Sequence, residues 1–282
     1  MFQPERNSMK ISEKLTYDGK RQILFAGNCV LENRSTAFKT AEFLKHLAEE
    51  IDVDLIFKAS YKKDNRSSEQ FFSGLPIDQA LRIFEDVKKE FDLPVISDIH
   101  YPSELTEGAA EVLDVLQVPA YLIMQTELVI KIAETGKPIN LKKAQFLHPS
   151  DLGKVCKKVE STGNRSIMLT ERGTCFGYRD LVVDLRGLHL MKSFGYPVIF
   201  DAGHSIRKYG VPSSDPTGGT KEFLSTLMSG CAATNLAGLF IEVHPKPEDA
   251  LCDAASQLNF EEAKRLISRY FKIAAFTKTL PD

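Results

Sequence analysis

The chain has 282 residues, of which 43% are hydrophobic and 26% charged, enough for a large buried core and within the size range of one barrel domain. A formal net charge of −2 and a pI near 6.3 supply no broad basic field, so nucleic-acid binding through counterion release is not expected. No run of about 18 or more apolar residues occurs and the opening MFQPERNSMK lacks the apolar stretch of a secretory signal, so no membrane partner is expected and the cytoplasm is the expected location.

Along the chain, KISEKLTYDGKRQILF comes first, with Asp18-Gly19 between alternating runs. That is a hairpin signal, and it predicts a small β-hairpin within residues 9–26 that caps the bottom of the fold. Short apolar runs rich in β-branched and aromatic residues then recur: QILFAG (22–27), DLIFKAS (54–60), PVISD (94–98), DVLQV (114–118), PINLK (138–142), SIMLT (166–170), PVIFDA (197–202) and GLFIEV (238–243). Segments such as STAFKTAEFLKHLAEE (35–50) and PIDQALRIFEDVKKEF (76–91) lie between them, with apolar residues at three- and four-residue spacing that predict crossover helices. Eight such βα units in one chain predict the α/β class, an eight-stranded parallel (β/α) TIM barrel forming a single domain over residues 1–282, with the hairpin as its cap. A doubly wound open sheet is the alternative, but it usually carries a glycine-rich phosphate turn after its first strand, which GNCVLE lacks.

Barrel enzymes place their chemistry at the C-terminal ends of the strands. Here those ends carry Cys29, then Lys58, Ser60 and Lys63, then Asp98 and His100, then Gln117, Lys142, Glu171 with Arg172, Asp201 with His204, and Glu242 with His244. Any one buried cation could be a structural ion pair. Lys58, Lys63, Lys142 and Arg172 converging on one mouth, in a chain without net positive charge, predict a ligand carrying several negative charges. The loop KKDNRSS (62–68) adds Asn65, Arg66 and Ser67, a guanidinium fork with hydroxyl donors suited to a phosphate.

The five cysteines, Cys29, Cys156, Cys175, Cys231 and Cys252, are odd in number and form no CxxC pair, which argues against a disulfide framework and for reduced thiols. In a barrel the eighth strand pairs with the first, so Cys29, His204 and Glu242 stand on neighbouring strand ends with Asp253 in the loop after the last. A thiolate, an imidazole and two carboxylates suit a borderline divalent ion such as Zn²⁺, Fe²⁺, Mn²⁺ or Co²⁺. Each residue alone has a blander reading: free Cys is often buried packing, and Asp253 could cap a following helix.

The segments GNCVLE, FKAS, NRSS, SDIH, LQVPA, QTE, NLKKAQF, TERGTCFGY, DLVVD, VIFDAGHS and FIEVHPKPEDALCDAASQL resemble, in order and spacing, the 3-deoxy-D-manno-octulosonate 8-phosphate synthase family from about residue 22 to 275. The related 3-deoxy-heptulosonate phosphate synthases typically carry Lys-Pro-Arg-Thr where this chain has Asp64-Asn65-Arg66-Ser67-Ser68. The resemblance implies condensation of phosphoenolpyruvate with D-arabinose 5-phosphate and water by a homotetramer. It implies Lys58, Ser60, Lys63, Gln117, Lys142 and Arg172 around phosphoenolpyruvate and Asn65, Arg66 and Ser67 around the pentose phosphate, the last two serving a neighbouring subunit's site.

Family members divide into metal-dependent and metal-free classes. Cys29, where the metal-free class has Asn, and DAASQL (253–258) resemble the metal-dependent class, while Asn28 and Cys252 depart from its pattern. Met124 and Glu127 also depart, standing where members commonly have Arg and Asp. Lys142, His204, Asp98 and Glu242 are the expected catalytic residues. Three other readings are a heptulosonate-type synthase acting on erythrose 4-phosphate, a Schiff-base aldolase using Lys58 or Lys142, and a non-catalytic sugar-phosphate binding barrel.

Overall fold

The computed structural model describes residues 8–64, 71–176, 180–208, 210–212, 215 and 217–281. Two short strands, β1 (Met9–Lys10) and β2 (Thr16–Tyr17), pair antiparallel. Eight parallel strands follow: β3 (Ile23–Gly27), β4 (Asp54–Lys58), β5 (Val95–Asp98), β6 (Val115–Val118), β7 (Ile139–Lys142), β8 (Ile167–Glu171), β9 (Val198–Asp201) and β10 (Gly238–Glu242). They close a barrel in which β10 hydrogen-bonds to both β9 and β3. The two crossover helices expected between the first three barrel strands form at Arg34–Glu50 and Ile77–Phe91.

The strand residues are buried on both faces, which is why their sequences read as apolar runs. Outward side chains such as Leu24, Phe57, Val95, Leu141 and Ile241 pack with the helices in one large core. Inward, Ile23, Phe25, Ile56, Ile96, Val115, Met168, Ile199 and Phe240 fill the lower barrel. Met9, Ile11 and Tyr17 close that end, so the hairpin caps the bottom as expected.

Its turn is not where Asp18-Gly19 placed it. Residues 11–15 connect β1 to β2, closed by Ile11 N and Ser12 N donating to Leu15 O at 2.8 and 3.1 Å. Asp18-Gly19 instead turns the chain from β2 toward β3, with Gly19 at φ 81°. The dipeptide marks a tight turn correctly, but it joins the cap to the barrel.

Candidate active site and metal centre

Because side chains alternate along a strand, the inward residue two positions beyond each lower-layer apolar residue faces the upper barrel. Ile56 is followed by Lys58, Ile96 by Asp98, Val115 by Gln117, Ile199 by Asp201 and Phe240 by Glu242. β3 differs: there the position holds Gly27, where a Cβ would lie 2.0 Å from the Lys58 carbonyl oxygen. Only glycine permits that approach, and it lets the chain pass close to the segment beyond β4, where Ser60 N donates to Cys29 O at 3.2 Å.

A cavity of about 140 Å³ opens here, lined by Lys58, Lys63, Lys142, Arg172, Asp98 and Gln117 among others. Lys58 Nζ donates to Glu242 Oε1 at 2.5 Å, and Lys63 Nζ lies 3.9 Å from the same oxygen. Lys142 pairs with Asp201 and sits 3.5 Å above the centroid of the Phe240 ring. Arg172, although buried, makes no ion pair among the described residues; its Nη1 reaches only Gln145 Oε1, at 3.4 Å. A buried guanidinium without a carboxylate is a standing site for an anion.

Asp98 is held from both sides. Ser60 Oγ donates to Oδ2 at 2.5 Å and Gln117 Nε2 to Oδ1 at 2.6 Å. The chain continues across the barrel as Asn140 Nδ2 donates to Gln117 Oε1 at 2.8 Å and Thr170 Oγ1 to Asn140 Oδ1 at 2.6 Å. Burial pushes the Asp98 carboxyl up, but Lys63, Lys58 and His100 outweigh it and hold it below the usual carboxylate range. Glu242 and Asp201 behave alike: burial raises them, and Lys58 with His204, or His204 with Lys142, more than reverses it. Burial also lowers Lys142, against the pull of Asp201.

His204 sits on a short helical turn, Ala202–Ser205, whose start is capped by Asp201 Oδ1 accepting from His204 N at 3.0 Å. Asp201 Oδ2 lies 2.9 Å from Nδ1 of the same ring, leaving Nε2 pointing toward Glu242 Oε1 at 3.9 Å. A carboxylate on one imidazole nitrogen with the other directed at an acidic group is the usual support for a metal-binding histidine. The second Glu242 oxygen, Oε2, is buried without a hydrogen-bond partner among the described residues. An orphaned carboxylate oxygen beside such a ring fits a divalent ion.

The ligand atoms of His204, Glu242 and Asp253 lie within 4.8 Å of one another, and so do those of Cys29, Cys252 and Asp253. The four expected ligands thus form two groups sharing Asp253, and Cys252 joins the second. Burial, the adjoining Cys252 thiol and Glu242 push the Cys29 thiol well above its ordinary value, a cost that a bound cation would reverse. Among the described residues Asp253 caps no helix; Asn259 caps Phe260–Thr277, and Arg207 Nε lies 3.3 Å from Asp253 Oδ1.

Other strand-end residues have structural partners. Glu171 Oε1 accepts from Gly173 N at 2.6 Å, and His244 Nε2 lies 3.3 Å from Glu32 Oε2. Asn65, Arg66 and Ser67 lie outside the described residues. Just before them Tyr101 OH donates to Asp64 Oδ2 at 2.5 Å, and Lys63 N donates to Ser73 O at 2.6 Å. Met124, where the resemblance suggests a basic residue, is exposed. Sequence reasoning missed Asn140 and Thr170, which the two-residue period of β7 and β8 places inward, and the role of Asp201, signalled by an acidic N-cap three residues before a histidine.

A family model described as the DAHP synthetase I family matches residues 8–275. Proteins named 2-dehydro-3-deoxyphosphooctonate aldolase are similar over most of the chain. That of Trichlorobacter lovleyi is 45% identical over 251 residues, 89% of this chain and 92% of its own. That of Syntrophotalea carbinolica is 41% identical over 273 residues, 96% and 98%. That of Francisella philomiragia is 40% identical over 273 residues, 97% and 98%. With a closed barrel, a cationic mouth and near-complete coverage of these relatives, the chain belongs to the 2-dehydro-3-deoxyphosphooctonate aldolase family, the 3-deoxy-D-manno-octulosonate 8-phosphate synthases.

Proposed function

We infer that this chain is an enzyme that condenses phosphoenolpyruvate with D-arabinose 5-phosphate and water, giving 3-deoxy-D-manno-octulosonate 8-phosphate and inorganic phosphate. The observation that carries the reading is the set of four cations, Lys58, Lys63, Lys142 and Arg172, on one small cavity, with Arg172 lacking a carboxylate partner among the described residues. Phosphoenolpyruvate brings a carboxylate and a phosphate to such a site. Arg172, Lys142 and Lys63 bind these groups, with Lys58, Ser60 and Gln117 completing the wall; Asn65, Arg66 and Ser67 take the pentose phosphate.

In the reaction C3 of phosphoenolpyruvate attacks the pentose aldehyde while water adds at C2, and phosphate then leaves by C–O cleavage. Binding both reactants in attack geometry supplies much of the acceleration. Asp98, kept ionised and turned by Ser60 and Gln117, stabilises positive charge developing at C2. Lys142, whose pKa burial lowers, would hold a proton for the leaving phosphate. Cys29, His204, Glu242 and Asp253 would hold a divalent ion of the Zn²⁺, Fe²⁺, Mn²⁺ or Co²⁺ kind, which when bound would supply Lewis acidity for the aldehyde oxygen or for the water. Bound in that way, His204 is unavailable as a free proton shuttle. A homotetramer is proposed, with Arg66 and Ser67 reaching a neighbour's site.

Phosphate release from phosphoenolpyruvate, measured with arabinose 5-phosphate against erythrose 4-phosphate, tests the assignment. The pentose phosphate should support turnover and the tetrose phosphate little or none. Preference for erythrose 4-phosphate would move the chain to the heptulosonate synthases. Binding of both substrates without phosphate release would make it a non-catalytic barrel. A substrate adduct trapped by borohydride on Lys58 or Lys142 would instead support the Schiff-base reading.

A further inference from the structure

Resting on the metal-dependent reading above, we propose that Cys252 is a second sulfur ligand of the divalent ion, making the centre a two-thiolate site. Cys252 Sγ lies 2.9 Å from Cys29 Sγ, although the residues are 223 apart in the chain. Asp253 Oδ2 is 3.4 Å from the first sulfur and 3.5 Å from the second. Three donor atoms therefore form a nearly even triangle, joined through Asp253 to His204 and Glu242.

This triangle is built by the backbone. Neighbouring residues in extended chain point apart, yet Cys252 and Asp253 direct their ligand atoms to one place because Asp253 adopts φ 48°. A non-glycine residue in the left-handed region is uncommon and costs on the order of 1 kcal/mol or more, so the surroundings must enforce it. Gln257 supplies part of that enforcement: its Oε1 accepts from Cys29 N at 3.3 Å and its Nε2 donates to Cys252 O at 2.7 Å. One side chain thus clamps both cysteine backbones in register. Both thiols are buried, packed with Val30 and Phe72, in a setting where an ion gains most from thiolate ligation.

Neutral, the two thiols can each donate only a weak hydrogen bond to the one Asp253 oxygen they share. A cation there would gain more: each thiol would give its proton to solvent and its sulfur would bind the metal as thiolate. A disulfide would need the sulfurs at about 2.05 Å and would leave Asp253 with no part in the triangle. Two thiolates should also bias the site toward Zn²⁺ and Co²⁺ over Mn²⁺, which prefers oxygen donors.

X-ray absorption of the Zn²⁺-loaded protein tests this without reference to turnover. Two sulfur scatterers per ion are expected in the wild type and one in Cys252→Ser. Equilibrium competition between Zn²⁺ and Mn²⁺ should show the preference for Zn²⁺ falling by about tenfold or more in Cys252→Ser, at or above the lower end of what loss of an outer-shell partner costs. A single sulfur in the wild type, an unchanged metal preference in the variant, or a Cys29–Cys252 disulfide persisting in the loaded protein would overturn it. Phosphate release by the same wild-type sample separates the two claims. Turnover with one sulfur bound rejects the ligand and keeps the activity, and two sulfurs without turnover does the reverse.

Discussion

The lower and upper halves of the barrel interior are made by the same strands, two residues apart, and have opposite chemistry. The lower half is Ile23, Phe25, Ile56, Ile96, Val115, Met168, Ile199 and Phe240, sealed by Met9, Ile11 and Tyr17. The upper half is Lys58, Asp98, Gln117, Lys142, Asp201 and Glu242, all buried and all bonded to one another or to their neighbours. Apolar burial stabilises the lower half directly. In the upper half every charge carries a desolvation cost that only its partners offset, so stability there depends on the groups staying ionised and paired, and the set is explained by what it binds. Phe240 lies at the boundary, its ring packed in the lower layer and its face beneath the Lys142 ammonium.

The largest effect that separates the halves should come from below. Phe25→Ala should cost about 3–5 kcal/mol in denaturant unfolding while leaving both KM values near wild type at a temperature where it stays folded. A matching change in substrate KM would show that the layers are not independent. From above, Arg172→Ala should lower kcat/KM for phosphoenolpyruvate by the equivalent of about 1.5–3 kcal/mol, with little loss of stability because no carboxylate partner is left behind among the described residues. An unfolding midpoint that drops like that of Phe25→Ala would assign Arg172 to the scaffold. Arg66→Ala should raise KM for the pentose phosphate by about tenfold or more and leave that for phosphoenolpyruvate nearly unchanged, and equal effects on both would contradict the assignment of the loop.

A smaller effect follows from titration. The folded pKa of Asp98 is held below its ordinary 3.8, so its contribution to stability is present above that value and is lost as pH falls through the depressed folded value. Asp201 and Glu242 shift in the same direction, so the upper half should make the protein acid-labile. Asp98→Asn should flatten the decline of unfolding free energy below about pH 4, measured by urea titration at several pH values. A slope equal to that of the wild type would place Asp98 outside this linkage.

The barrel was legible because its strands are short, apolar and buried on both faces, and each of the eight lies within two residues of its predicted run. The upper layer was partly legible for the same reason: Lys58, Asp98, Gln117 and Lys142 stand out as polar residues inside such runs. Asn140 and Thr170 did not, because a small polar residue mid-strand resembles ordinary strand composition until its partner across the sheet is known. Turn chemistry announced a bend at Asp18-Gly19 but not which strands it joins. Cys252 was hidden by distance, since only closure of β10 onto β3 and the left-handed Asp253 bring it to Cys29.

The divalent ion is what the site should need for turnover. The direct measurement is phosphate release from phosphoenolpyruvate and arabinose 5-phosphate by wild-type protein stripped with a strong chelator, before and after addition of Zn²⁺, Mn²⁺ or Co²⁺. Stripped protein should be inactive and each ion should restore turnover to a different degree, with Cys29→Ala neither retaining metal nor recovering. Full activity in protein shown to be free of metal would contradict the account and return Cys29 to packing in the core.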